Sequence, residues 1–102
     1  MPNYKVSYAP AFKQELKETV DYISKTIQNP AAAENLLEEV EKAIESRRFM
    51  PLAFEPLIST KKIKRTYYRI RVKNYTIYYT VSEDVMILAR FIYNRRNIED
   101  IL

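Results

Sequence analysis

The feature that most limits the fold is a change in the spacing of apolar residues near position 60. Before it the spacing is helical, and after it the spacing is that of strands. Phe12, Leu16, Val20, Ile23 and Ile27 recur at intervals of 4, 4, 3 and 4, one stripe of an amphipathic helix from about Ala11 to Gln28. Asn29-Pro30 is a break and a restart: Asn29 can cap a second helix, and Pro30 suits its first turn, where a missing N–H costs nothing. That helix carries Ala33, Leu36, Leu37, Val40 and Ile44 on one side and glutamates on the others, and ends near Arg47–Phe49. So short a link makes the pair an antiparallel helical hairpin. Residues 50–62, with two prolines, read as a surface connection.

Beyond it the period is two. Tyr68, Ile70 and Val72 alternate with Tyr67, Arg69, Arg71 and Lys73. After a turn at Lys73-Asn74, Tyr75, Ile77, Tyr79 and Val81 alternate with Thr76, Tyr78 and Thr80. Ser82-Glu83-Asp84 makes a second turn, and Val85–Tyr93 is apolar on both faces except at Arg90, as suits a central strand. Tyr4, Val6 and Tyr8 alternate with polar residues in a short first strand that stops before Pro10. The expected architecture is α+β, in the order β-α-α-β-β-β. It has an antiparallel sheet with the helical hairpin packed on one face.

At 102 residues the chain fits a single domain spanning 1–102. It contains no His, no Cys and no Gly. The usual zinc sites and Ser-His or Cys-His nucleophile systems are therefore excluded, as are glycine-rich phosphate loops. No cofactor or metal is expected. No apolar run approaches a membrane span and MPNYKVSY is not a signal peptide, so the expected compartment is the cytoplasm.

Charge is unevenly distributed. Residues 1–60 hold seven Lys/Arg against nine Asp/Glu, a sum of −2, whereas residues 61–102 hold ten against four, a sum of +6. The stretch KKIKRTYYRIRVKNYTIYY (61–79) has seven cations, five tyrosines and no acid. Alternation places Tyr67, Arg69, Arg71, Lys73, Thr76 and Tyr78 on the sheet face away from the helices, with Lys61, Lys62, Lys64 and Arg65 on the approach to it. Opposed like charges cost roughly 0.2–1 kcal/mol per pair. An unbalanced face of this kind points to an anionic partner, with cations for phosphates and Tyr67 and Tyr78 as rings on which unpaired bases stack. The competing reading is a solubilising surface whose lysines guard sheet edges.

The element order, the YRIRV strand followed by NYTIYYTV, and the ending ILARFIYNRRNIEDIL resemble the RelE/ParE superfamily of toxins from type II toxin–antitoxin systems. The resemblance covers essentially the whole chain. It implies a small basic cytoplasmic toxin, associated with growth arrest and plasmid stabilisation, that a cognate antitoxin wraps and neutralises. ParE-like members inhibit DNA gyrase and are not nucleases. RelE-like members are metal-independent endoribonucleases that cut mRNA on the ribosome. Carried over from the RelE-like site, the catalytic cations fall on Arg69, Arg71 and Arg95, with Arg96 beside the last. The family's middle-strand Arg falls near Thr76 and its proton-transferring Tyr near Ile101, so both are replaced here. Lys61, Lys62, Lys64 or Lys73 would have to act as base and Tyr67 or Tyr78 as acid, while Glu99 and Asp100 read as solvated. The missing proton-transfer residue tilts the reading towards a gyrase inhibitor. The alternatives are a ribosome-dependent mRNA endonuclease, a non-toxic nucleic-acid-binding module and an inactive toxin retained as an antitoxin partner.

Overall fold

The structure, a computed structural model, describes residues 4–58 and 65–95. Its elements are β1 (Lys5–Tyr8), α1 (Pro10–Asp21) continued by a π-helical turn (Tyr22–Thr26), α2 (Pro30–Arg47), β2 (Leu57–Ile58), β3 (Thr66–Val72), β4 (Tyr75–Ser82) and β5 (Val85–Tyr93). The strands form one sheet in the order β1-β5-β4-β3-β2. The meander β3-β4-β5 is antiparallel, as its two-residue turns require, and the helical hairpin covers one sheet face.

Two details depart from the sequence reading. β1 joins the sheet parallel to β5, with Lys5 opposite Val85 and Tyr8 opposite Leu88, so the sheet is mixed rather than wholly antiparallel. Within the expected connection, Leu57 and Ile58 pair with Tyr67 and Thr66 as a short outer strand.

Both helix boundaries have local causes. Pro10 and Pro30 open the two helices. The Asn29 carboxamide oxygen accepts from the Ala32 N–H at 3.1 Å, which is the expected cap. α1 does not run on regularly to Gln28. The Ile27 N–H donates to the Tyr22 carbonyl at 3.0 Å, five residues back, and Gln28 takes a φ of 60°. This wider turn rotates the following residues out of phase, so Ile27 leaves the apolar stripe and is 54% exposed. Without glycine, the two hairpin turns also place positive φ on ordinary residues, Lys73 at 53° and Glu83 at 55°.

The core joins Phe12, Leu36, Val40 and Ile44 from the helices to Ile70, Val72, Ile77, Tyr79, Met86, Leu88 and Phe91 from the sheet. Leu88 and Phe91 lie three apart, yet both face the helices. The cause is a bulge: Tyr79 lies opposite Leu88 and Tyr78 opposite Arg90, leaving Ala89 as an extra residue in β5. The bulge resets the alternation, so Phe91 returns to the core and Ile92 to the other face.

Candidate target-binding face

The Lys73-Asn74 turn fixes which residues meet on the sheet face away from the helices. Val72 lies opposite Tyr75, so Arg71 meets Thr76 and Arg69 meets Tyr78. Arg69 and Arg71 are exposed, as are Arg65 before β3, Lys73 in the turn and Arg95 after β5. The Asn94 N–H donates to the Asn74 carbonyl at 2.9 Å, and the Thr76 hydroxyl donates to the Asn94 side-chain oxygen at 2.5 Å. These two bonds bring the segment bearing Arg95 to the end of the sheet that carries Arg71 and Lys73. Lys61, Lys62, Lys64 and Arg96 lie outside the described residues, as do Ile101, Glu99 and Asp100.

Tyr67 and Tyr78 are corrected. Alternation assigns them to the expected face, but they are 8% and 7% exposed and pack with Ile92, Leu57 and Ala89 in a second, smaller cluster. β2 is the reason: its pairing sets Leu57 beside Tyr67, and the bulge turns Ile92 to the same side. Neither ring is open for a base to stack on. The outer face is thus an apolar floor with arginines standing at its margin.

Residues not singled out in the sequence hold this face in place. The Arg47 guanidinium, at the end of α2, donates to the Arg69 carbonyl at 2.8 Å and to the Tyr79 hydroxyl at 3.0 Å, and lies 3.5 Å above the Phe54 ring. The Tyr79 hydroxyl in turn donates to the Pro51 carbonyl at 2.7 Å. The loop after α2 is thereby tied to β3 beside Arg69. On the other flank, the Arg90 Nε donates to both Glu15 carboxylate oxygens at 3.0 and 3.1 Å, and the Phe91 N–H donates to the same carboxylate at 3.0 Å. A basic residue in a last helical turn is a legible signal. Its partner on a distant strand is not.

Tyr75, Tyr78 and Tyr79 all have phenol pKa values raised above the ordinary 10.0, each chiefly by burial. For Tyr78, Arg69 and Arg71 oppose the rise, together with a hydrogen bond to Thr76. Raised folded-state values mean that above pH 10 the native chain holds more protons than the unfolded one, so stability falls as pH rises. It is fully present below that pH and is lost through the raised values. Urea midpoints should therefore stay level from about pH 8 to 9 and fall by about pH 11, with a shallower fall in Tyr79→Phe. Equal midpoints at both ends of that range would contradict the assignment.

Chemically, the described part of the face offers permanent cations around buried tyrosines. The Glu15 carboxylate, on α1 beside β5, is held by Arg90. Arginine does not accept protons in this pH range. The arrangement can bind and orient an anionic or carbonyl-rich surface.

A family model described as the ParE toxin of the type II toxin–antitoxin system parDE matches residues 6–98. The chain belongs to the ParE toxin family. This ParE-family toxin is similar in fold to a chain of the chromosomal ParDE system from P. aeruginosa, with a TM-score of 0.70 and 6% identity over 88% of this chain and 95% of that one. A chain of the RelB–RelE antitoxin–toxin complex from Methanococcus jannaschii is 29% identical over 94% of this chain and 98% of that one, with a TM-score of 0.49. No curated protein matches the sequence. The family assignment agrees with the resemblance carried by the YRIRV and NYTIYYTV strands, which form the β3-β4 hairpin described above.

Proposed function

We propose that this toxin arrests growth by binding DNA gyrase, using the arginines of the outer sheet face and Arg95, and that an antitoxin neutralises it. The observation that carries this reading is the proton inventory of the described face. Arg65, Arg69, Arg71 and Arg95 supply charge, while the two candidate acids, Tyr67 and Tyr78, are buried. Such a set suits contact with a protein or nucleoprotein target better than proton transfer at a 2′-hydroxyl. Family membership and the ParDE origin of the P. aeruginosa neighbour support an antitoxin partner. Among the described residues no helix is long and apolar enough to cross a membrane, which accords with action in the cytoplasm.

One observation favours the mRNA endonuclease as a second reading. Arg69 and Arg71 stand two apart and exposed on one strand, where they could stabilise charge developing on a phosphate. Pulse-labelling after induction separates the two. Thymidine incorporation falling before amino-acid incorporation fits gyrase inhibition, whereas the reverse order overturns it in favour of the ribosome. If neither falls, the toxin reading itself fails.

A further inference from the structure

An open groove of about 630 Å³ lies between α1 with its π-helical turn and the ends of β4 and β5. Its chemistry is opposite to that of the outer sheet face. In a chain of net charge +4, the groove is lined by two carboxylates, Glu15 and Glu18, and among the described residues by no Lys or Arg. The two acids are one helical turn apart on α1, so they share a wall. Glu15 already holds the Arg90 guanidinium, which leaves Glu18, exposed and touched by the Gln14 amide at 2.7 Å, to meet a further cation.

The remaining walls are aromatic. Tyr75 stacks on Phe91 with centroids 4.9 Å apart and planes at 17°, and Tyr93 lies 5.6 Å from Tyr75. Tyr22, the first residue of the widened helical turn, lines the helix side. Tyr22 and Tyr93 remain 56% and 40% exposed, large ring surfaces left uncovered beside carboxylates. The groove is also approachable along the sheet. β1 pairs only with Val85 to Leu88, and among the described residues no strand flanks β5 beyond that point on the same side. An extended or helical segment can therefore lie alongside and lower one side chain in.

Rings and a carboxylate around a slot are the complement of a guanidinium, whose plane stacks on tyrosine while its N–H donors meet carboxylate oxygens. The same walls repel phosphate, so the groove is not an extension of an anion-binding surface. We propose that it receives an arginine side chain from the toxin-binding segment of the antitoxin. The partner's identity rests on the toxin–antitoxin reading; the groove's preference for a guanidinium does not.

The test is a nuclear magnetic resonance titration of the labelled full chain with two probes, acetyl-Leu-Arg-Leu-amide and its citrulline twin, which keeps the shape but loses the charge. The arginine probe should shift the Tyr22, Tyr75 and Tyr93 amides with a Kd of order 1 mM, and the citrulline probe should bind at least about fivefold more weakly. Glu18→Gln should bring the arginine probe down to the citrulline level while leaving the circular dichroism spectrum unchanged. Equal binding of the two probes, or no shift of these amides at about 10 mM of either, overturns the proposal. A failed toxin reading would appear as absence of growth arrest and would leave this titration unaffected.

Discussion

Glu15→Ala should lower folding stability by about 2–3 kcal/mol, the largest loss expected from removing any one polar side chain in the described structure. Glu15 sits mid-way along α1 and its carboxylate serves two elements of β5. It accepts from the Arg90 Nε at 3.0 and 3.1 Å and from the Phe91 backbone N–H at 3.0 Å. The side chains of Glu15 and Arg90 are 16% and 27% exposed, so solvent screens the pair only partly. Exposed ion pairs contribute roughly 0–1 kcal/mol, and breaking a fully buried one costs roughly 3–5 kcal/mol. This pair lies between those limits and adds a backbone bond at a strand edge. Glu15→Gln should lose about half as much, because an amide oxygen can still accept from Phe91 while the charge is gone. Urea unfolding at neutral pH gives both values. A loss below about 0.5 kcal/mol for the Ala variant would mean that packing of α1, not the carboxylate, fixes β5.

The second large effect is functional. The double substitution Arg69→Glu and Arg71→Glu should abolish growth arrest and weaken target binding by a hundredfold or more, since opposing like charges across an interface costs several kcal/mol. Both side chains are exposed, and the contact that anchors β3 here goes to the Arg69 carbonyl rather than its side chain, so the fold should survive. The double Ala variant removes attraction without adding repulsion and should weaken binding only about tenfold. Colony counts after induction, beside a pull-down of gyrase with the purified variants, measure both. Full toxicity in the double Glu variant would remove the outer face from the target interface and leave Arg95 and the helical hairpin as the surfaces to search.

Local physics made most of the architecture legible. The 4-4-3-4 spacing from Phe12 marks α1, the Asn29 cap marks α2, and the alternation around Ile70 and Ile77 assigns the meander strands to their faces. What escaped depends on contacts between residues far apart in sequence. Alternation gives the side of the sheet on which Tyr67 and Tyr78 lie, but cannot say that Leu57 and Ile92 will close around them. The bulge at Ala89 breaks the period it would have to be read from. Arg47 and Glu15 look like ordinary polar residues on helices until their partners on β3 and β5 are in place. The arginines of the candidate face could be named because charge pattern is itself local. Their mutual arrangement could not.

The parallel pairing of β1 with β5 has a consequence for biosynthesis. β5 lies between β1 and β4, so the last of the described strands occupies the interior of the sheet. Lys5 cannot meet Val85 until the segment up to β5 has left the ribosome tunnel. Met86, Leu88 and Phe91 complete the core only then. A nascent chain halted before β5 has the helices and one hairpin but no closed sheet to carry them. A toxin built in this order has no closed sheet until β5 is available, so its working shape cannot precede the emergence of that strand.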